Sequence, residues 1–267
     1  MPVVTVNDPL DPRLGDYRNL SDAELLHHHG IFVAEGRLVV RRLLTSSRFA
    51  AKSVLVTQPA YEALSDLLDT CDLPVHLASQ EILNGVTGFN IHRGCLAIGY
   101  RGSQIDWRDL AGAARIVLLE RVGNADNVGA IFRNTAAFSG AAVLLDTAST
   151  DPLYRKAIRT SMGVALSIPF ARLEPWPQAL HTLRSFGITL IGLATDASES
   201  IEAVAQRAHG QRVALLLGHE GDGLTPQARD ACDYLARIPM APGVDSLNVA
   251  TAAAVALYEL SRSNTAR

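Results

Sequence analysis

Short apolar runs alternate with amphipathic segments along the C-terminal part of this chain, and this alternation predicts its main domain. Five runs have the length and composition of buried strands: Ile116–Leu119, Ala142–Leu145, Ile188–Gly192, Val213–Leu217 and Leu235–Ile238. Helical patterns separate them, and the last helix, which is rich in alanine, is expected from about Ser246 to Leu260. Alternation of this kind predicts an α/β fold with a mostly parallel sheet that carries helices on both faces.

The N-terminal part repeats the alternation on a smaller scale. Ser21 is expected to cap the first helix, with Glu24 completing a capping box. The elements expected next are a helix at Arg37–Leu44, a strand at Ser53–Thr57, a helix at Ala60–Leu68, and strands at Pro74–Leu77 and Cys95–Tyr100. The predicted organisation is an N-terminal arm with the first helix (1–30), a small α/β domain (31–100), a linker (101–114) and the main domain (115–267).

Length and composition are those of an enzyme with one or two domains. The chain has 267 residues, of which 48% are hydrophobic and 19% charged, so it can build a substantial core. No apolar run reaches the ~18–20 residues that cross a bilayer, and the first residues lack the pattern of a signal peptide. Cys71, Cys95 and Cys232 are far apart, which indicates neither a disulfide framework nor a zinc site. We expect a cytoplasmic protein without a membrane span or a metal ion.

Three segments rich in glycine and polar residues lie at or after predicted strands, and they hold the candidate chemistry. They read N-A-D-N-V-G-A-I-F-R (Asn124–Arg133), L-L-L-G-H-E-G-D-G-L (Leu215–Leu224) and I-P-M-A-P-G-V-D-S-L-N-V (Ile238–Val249). In a parallel α/β domain such segments expose backbone N–H groups to a ligand. The glycines at 218, 221 and 223 lack the G-x-G-x-x-G spacing of dinucleotide sites, and Glu220 would repel a pyrophosphate. An adenosyl sulfonium cofactor, which has no phosphate, suits this loop better.

In their order along the chain and in their amino-acid sequences, the three segments resemble the motifs of the SpoU (TrmH) family of RNA ribose 2'-O-methyltransferases, within the SPOUT superfamily. The resemblance covers residues 116 to the C-terminus, and more weakly residues 35–100, which are similar to a small substrate-binding domain related to ribosomal proteins. It implies S-adenosyl-L-methionine as cofactor and RNA as substrate, ribosomal RNA rather than transfer RNA. It also implies a trefoil knot near the C-terminus, at about residues 213–255, and a homodimer that pairs through the knotted domain.

The same resemblance assigns roles to individual residues. Catalytic roles fall on Asn127, Arg133, Glu220, Ser246 and Asn248. Cofactor-binding roles fall on Gly218, Ile238, Met240 and Leu247. Because a guanidinium stays protonated near neutral pH, we expect Arg133 to bind a phosphate and stabilise the developing alkoxide, instead of removing the proton. Taken one at a time, Asn127 and Ser246 are also compatible with simple helix caps, and Glu220 with an exposed loop carboxylate.

The distribution of basic residues along the chain indicates RNA binding more clearly than the net charge does. The net charge is −3, but residues 36–61 contain five basic residues and no acidic one, and a second basic cluster covers residues 155–159. The residues expected to bind RNA are Arg37, Arg41, Arg42, Arg48, Arg155 and Arg159. Two local basic patches on a nearly neutral protein favour local RNA binding. The alternative is that each patch is only the solvated face of a helix.

Three other functions compete with methylation of ribosomal RNA. The chain could methylate transfer RNA, or it could bind RNA without catalysis and keep the three loops as structure alone. It could also be a nucleotide- or NAD-binding α/β enzyme, but the phosphate-binding spacing of that class is missing. The joint presence of Asn127, Arg133, Glu220, Ser246 and Asn248 favours an enzyme over a structural role.

Overall fold

The computed structural model describes residues 3–18, 21–87, 91 and 94–262, which fold as two compact units. The first unit consists of Met1–Ser103 together with Pro152–Ser167. The second consists of Gln104–Asp151 and Ile168–Arg267. The division differs from the predicted one in assigning residues 152–167 to the first unit. It also places the predicted linker at the end of one unit and the beginning of the other. Strands and helices are numbered below in chain order.

The first unit is built on a mixed five-stranded sheet. Its strands are β1 (Val3–Thr5), β2 (Ile31–Glu35), β3 (Ala51–Val56), β4 (Val75–Leu77) and β5 (Cys95–Tyr100), in the order β1-β4-β3-β5-β2. Strands β1, β4 and β3 are parallel, whereas β5 runs antiparallel to both β3 and β2. Its helices are α1 (Asp22–His28), α2 (Arg37–Leu44), α3 (Gln58–Glu62), α4 (Ser65–Leu68), α5 (Gln80–Thr87) and α8 (Arg155–Thr160).

Local signals predicted this unit well where they were strong. The Ser21 hydroxyl accepts a hydrogen bond from the Glu24 backbone N–H at 3.2 Å, so the predicted cap of α1 is confirmed. The predicted helix at 60–68 is instead two short helices, because the chain turns between α3 and α4. Strand β2 was missed, since it is buried along its whole length and shows no alternation. The prediction of an N-terminal arm was also wrong in part, because Val3–Thr5 form strand β1 and are hydrogen-bonded to β4.

The second unit has a seven-stranded sheet in which every neighbouring pair is parallel. Its strands are β6 (Arg115–Leu119), β7 (Ala142–Leu145), β8 (Phe170–Arg172), β9 (Ile188–Leu193), β10 (Glu199–Ser200), β11 (Arg212–Leu217) and β12 (Tyr234–Arg237), in the order β10-β12-β9-β11-β6-β7-β8. Its helices are α6 (Trp107–Leu110), α7 (Ala125–Ala137), α9 (Gln178–Ser185), α10 (Ile201–Arg207), α11 (Pro226–Asp230) and α12 (Val249–Arg262). The five predicted strands are present, and the short edge strands β8 and β10 were missed.

Helices cover both faces of this sheet, as the sequence predicted. Alternate residues of β6, such as Ile116 and Leu118, enter a core with Trp107 of α6 and Leu180 of α9. The remaining residues of β6 are equally buried, and α7 and α12 contact β7 and β11, respectively. Because all the strands are parallel, their carboxyl ends meet at one edge of the sheet, where an open α/β sheet binds its ligands. The fold therefore brings the loops after β6, β9, β11 and β12 together.

Helix α12 begins three residues later than predicted. The side chain of Asn248 accepts hydrogen bonds from the backbone N–H groups of Ala250 and Thr251, at 3.0 and 3.3 Å. Asn248 therefore caps α12, and Ser246 lies in the preceding loop. Asn124, not Asn127, caps α7, since its side chain accepts from the backbone of the residue two positions later. Because the cap of α12 uses only Oδ1 of Asn248, the Nδ2 group of this side chain can donate a hydrogen bond elsewhere.

Over the described ranges, no helix combines the length and the apolar character needed to cross a membrane.

Candidate active site

A cleft of about 450 Å³ lies at the carboxyl edge of the seven-stranded sheet. Residues from three loops line it: 193–196 after β9, 217–224 after β11, and 238–249 after β12. The volume is within the range of small-molecule sites, and the place is the one at which parallel sheets bind ligands. Two of the three segments singled out in the sequence line this cleft.

The glycine-containing loop after β11 closes tightly on itself. His219 and Gly223 exchange backbone hydrogen bonds of 3.2 and 3.0 Å, which fold residues 219–223 into a narrow turn. A Cβ atom on Gly218 would lie 2.4 Å from the carbonyl carbon of Gly223, so any side chain at 218 would collide with backbone. Gly223 has a positive φ of 67°, which favours glycine. The glycines of this segment thus serve the shape of the turn.

A buried carboxylate that the sequence did not single out anchors the far end of this loop. Glu120 is 1% exposed and follows β6 directly. Its carboxylate accepts hydrogen bonds from the Thr225 backbone N–H (2.9 Å), the Thr225 hydroxyl (2.7 Å) and Trp176 Nε1 (2.9 Å). Because Thr225 also caps α11, this carboxylate fixes the point where the loop becomes a helix. A buried charge with three donors is costly to disturb.

Hydrogen bonds between side chains join all three sequence segments. Asn248 Nδ2 donates to Asn127 Oδ1 at 2.9 Å, and Asn127 Nδ2 donates to Glu220 Oε1 at 2.5 Å. Since Asn248 Oδ1 already caps α12, the orientation of every amide in this chain of bonds is determined. The arrangement holds the Glu220 carboxylate against α7 and α12. Residues that are up to 121 positions apart in sequence thereby form one polar cluster.

The structure places the nine predicted site residues in three groups. Those that line the cleft are Gly218, Glu220, Ile238, Met240, Ser246 and Leu247. Asn127 and Asn248 are not among the lining residues, but they hold Glu220 in place. Arg133 lies further along α7, exposed to solvent, and is not among the described residues that line the cleft. Six residues after Asn127, it is about 9 Å along the helix axis and points to another face.

The cleft is acidic. Its described lining contains Asp196, Glu220, Asp222 and Asp245 but a single arginine, Arg229. Arg229 makes two 3.0 Å hydrogen bonds to Asp196, which hold the pKa of that carboxyl below its usual value. Arg121, outside the lining, lies 3.5 Å from Asp222. The remaining carboxylates suit a cationic ligand and disfavour a phosphate.

Several lining residues were missed in the sequence. Leu193–Asp196 follow β9 directly, and Asp245 immediately precedes Ser246. The signal that could have found the first group is its position after a predicted parallel strand that neighbours β11. Among the described residues, no group of three His, Cys, Asp or Glu side chains could hold a metal ion. Burial raises the pKa of the nearby Cys232 thiol to about 12, so this thiol is neutral and a poor nucleophile.

The residues predicted to bind RNA all lie in the first unit, including the second cluster. Helix α8 contacts β2, and a turn at Val164–Leu166 contacts α2, so the two basic clusters are brought close together. Gly163, which directly precedes this turn, lies close to α2, since a Cβ atom on it would be 3.0 Å from Arg42 Cδ. Some of the charges are paired. Arg41 binds Asp66 through two hydrogen bonds of 2.5 and 2.8 Å, and Arg159 lies 3.5 Å from Glu35.

Comparisons with known proteins agree with this geometry. The model of the SpoU rRNA Methylase family matches residues 114–258. An uncharacterized tRNA/rRNA methyltransferase of Mycobacterium bovis is 42% identical over 98% of this chain and 92% of that protein. The 23S rRNA (guanosine-2'-O-)-methyltransferase RlmB of Xylella fastidiosa is 33% identical over 72% of this chain and 79% of that protein.

A solved structure extends the similarity to the fold. The AdoMet-bound rRNA methyltransferase from Sinorhizobium meliloti superposes with a TM-score of 0.83 at 25% identity, covering 97% of this chain and 98% of that one. The family model covers the cleft, both asparagines that hold Glu220, and Arg133. The chain therefore belongs to the SpoU rRNA methylase family.

Proposed function

We propose that this protein transfers a methyl group from S-adenosyl-L-methionine to a ribose 2'-hydroxyl of ribosomal RNA. The observation that carries the proposal is the polar cluster in which Asn127 and Asn248 hold Glu220 at an acidic cleft, at the carboxyl edge of a parallel sheet. The relatives support it, because their names describe RNA methyltransferases, one of them specific for a guanosine 2'-oxygen.

The lining of the cleft fits an adenosyl sulfonium cofactor. Leu193, Leu217, Ile238 and Leu247 supply apolar surface for an adenine ring, and the close backbone at Gly218 supplies peptide groups. The acidic groups suit the positively charged sulfonium and amino groups of such a ligand, and they would repel the phosphates of NAD or ATP. When bound, this cofactor supplies an electrophilic methyl group.

The residues of the chain then have separable tasks. Asn127 and Asn248 fix the direction of the Glu220 carboxylate. We propose that this carboxylate orients the cofactor and the ribose at the cleft. Ser246 lines the cleft beside the start of α12 and offers a hydroxyl for the ribose. Methyl transfer would form the bond from the 2'-oxygen to the methyl carbon as the carbon–sulfur bond breaks, with S-adenosylhomocysteine as the leaving group and the hydroxyl proton released to water. The guanidinium of Arg133 would stabilise the oxygen as negative charge develops on it.

Mapping ribose methylation across total RNA, with and without this protein, tests the proposal. We expect one or a few ribosomal 2'-O-methyl groups to disappear when the gene is deleted, and to return with the wild-type protein but not with Asn127→Ala. Loss of a methyl group from transfer RNA alone would reassign the substrate. An unchanged methylation map, together with calorimetry showing that NAD binds and S-adenosylhomocysteine does not, would refute the methyltransferase.

We also propose that the basic surface of the first unit binds the RNA substrate. This surface combines α2 and the segment after it with α8, and Arg42 and Arg48 lie on its α2 side. Arg48 stacks on Phe49, with its guanidinium carbon 4.8 Å from the ring centroid, so its charge is held near the surface. Arg41 contributes less than the sequence suggested, since Asp66 neutralises it.

Exchanging Arg42 and Arg48 together for glutamine should weaken RNA binding without changing the affinity for S-adenosylhomocysteine. Because each phosphate contact releases counterions, the negative slope of log K against log salt concentration should become shallower by about 1–2. Filter binding or fluorescence anisotropy at several salt concentrations measures this. Arg184→Gln, which removes a charge from α9 of the other unit, is the matched control and should leave the slope unchanged. An unchanged slope in the double variant would show that the patch is only a solvated helix face.

The remaining expectations concern assembly and surroundings. We propose that the chain carries the trefoil knot of its family within about residues 213–255 and pairs as a homodimer through that region. Support for pairing comes from exposed apolar residues near the cleft and on α12: Val244 is 49%, Leu247 37% and Tyr258 47% exposed. We place the protein in the cytoplasm, which is consistent with its three free cysteines.

A further inference from the structure

The ring of His219 is hydrogen-bonded to the backbone of its own loop, the loop after β11. Its Nδ1 atom accepts hydrogen bonds from two backbone groups, the N–H of Gly221 at 3.0 Å and the N–H of Asp222 at 3.1 Å. A ring nitrogen can accept only when it carries no proton, so the neutral ring must hold its proton on Nε2. Neither the sequence pattern nor the proposed mechanism assigns this residue a role.

The two hydrogen bonds determine the shape of the turn that carries Glu220. His219 lies between Gly218 and Glu220, and all three line the cleft. The ring spans residues 220–222 from inside, since a Cβ atom on Gly221 would contact it at 3.4 Å. If Nδ1 were lost as an acceptor, two backbone N–H groups beside the cleft would lose their partner.

We propose that His219 is a positioning residue whose neutral ring holds the cofactor loop in its binding shape, so that protonation of His219 weakens cofactor binding. The inference rests on the proposed function insofar as the cleft binds an adenosyl cofactor. A proton on Nδ1 would face two N–H groups, and the turn would have to rearrange to separate them. Cofactor affinity should therefore be lower when Nδ1 of this ring carries a proton.

Charged groups of the cleft can act on a protonated His219 ring. Asp222 Oδ2 lies 3.8 Å from Nδ1 and would attract a protonated ring, but the same carboxylate is 3.5 Å from Arg121. Glu220 faces Asn127, and Asp196 faces Arg229. Asp245 also lines the cleft. Attraction by Asp222 cannot replace the two lost hydrogen bonds, because forming the ion pair leaves both N–H groups without an acceptor.

Two variants separate this role from a merely structural one. In His219→Asn the side-chain oxygen can accept from the same two N–H groups, as in an Asx-turn, and it does not titrate. His219→Ala has no acceptor. His209→Asn is the control, because His209 is exposed in the same unit and lies outside the cleft. Calorimetry with S-adenosylhomocysteine at about pH 8 and about pH 5.5 gives the affinities, with circular dichroism to confirm folding.

At the higher pH, His219→Asn should bind within about threefold of wild type and His219→Ala about fivefold to tenfold more weakly, as expected for two lost hydrogen bonds. At the lower pH, wild type and His209→Asn should lose about tenfold, whereas His219→Asn should lose little. Nitrogen NMR of the free protein should show His219 protonated on Nε2 and not on Nδ1.

Two results would overturn the inference: the same pH dependence in His219→Asn as in wild type, or a proton on Nδ1 at the higher pH. If wild type binds no S-adenosylhomocysteine at both pH values, the proposed cofactor is wrong, and so is the role of His219 in binding it. The two failures are therefore distinguishable.

Discussion

Exchanging Arg133 for alanine should reduce methyl transfer by about 10²–10³-fold, the loss typical of removing one stabilising group from a developing oxyanion. Affinity for S-adenosylhomocysteine should stay within a few-fold of wild type, because Arg133 is exposed and is not among the described residues that line the cleft. Single-turnover methylation of RNA and calorimetry on the same preparation measure the two quantities.

Arg133→Lys sharpens this test. A lysine keeps the charge but not the planar, bidentate guanidinium, so it should restore little activity if Arg133 grips a phosphate. Arg184→Gln is again the control for removing a positive charge elsewhere in the second unit, and it should keep full activity. Wild-type rates in either Arg133 variant would remove this residue from the mechanism.

Exchanging Gly218 for alanine should have the second large effect, this time on cofactor binding. The new Cβ atom would lie 2.4 Å from the carbonyl carbon and 2.5 Å from the oxygen of Gly223, so the narrow turn must open. Overpacking of this kind costs about 1–3 kcal/mol. That cost corresponds to about 5- to 150-fold weaker binding of S-adenosylhomocysteine if it is borne by the binding-competent loop. Calorimetry gives the affinity.

A matched glycine variant distinguishes a loop effect from general destabilisation. In Gly112→Ala no atom lies within 4 Å of the new Cβ, and the residue is outside the cleft, so binding and melting temperature should both be unchanged. For Gly218→Ala the melting curve should remain cooperative. Cofactor affinity equal to wild type would show that the close backbone at 218 does not shape the binding site.

Mixing the two impaired proteins tests the proposed homodimer. The Arg133→Ala protein keeps an intact cleft, and the Gly218→Ala protein keeps Arg133. Since Arg133 lies outside the described lining of the cleft on its own chain, we expect activity to return in the mixture, where Arg133 of one copy serves the cleft of the other. No return of activity, with heterodimers detected by mass spectrometry, would show that Arg133 serves its own chain.

The sequence by itself determined the α/β class and six of the residues that line the cleft. Buried parallel strands need continuous apolar runs, and these are readable without knowing what they pack against. Glycine, serine and asparagine after such runs mark ligand loops for local reasons, whereas the resemblance to the SpoU family assigned roles to Gly218, Glu220 and Ser246 within them. The order of the three segments also indicated the family to which the chain belongs.

Other features depended on contacts that sequence spacing cannot show. The short strands β1 and β10 exist because a neighbouring strand supplies their backbone partners, and residues 152–167 lie in the first unit because α8 contacts β2. Arg41 was expected to add its charge to the basic patch, but it forms an ion pair with Asp66, a partner 25 positions away. Each of these interactions joins residues from different elements.

Only the tertiary structure decided how the site is held together. It identified Glu120 as the buried anchor of Thr225, Asn248 as the cap that also orients Asn127, and His219 as the acceptor for its own turn. Local composition specifies which side chains are present at a strand end. The direction of a hydrogen bond, and therefore the protonation state or amide orientation it requires, follows only from the position of its partner in space.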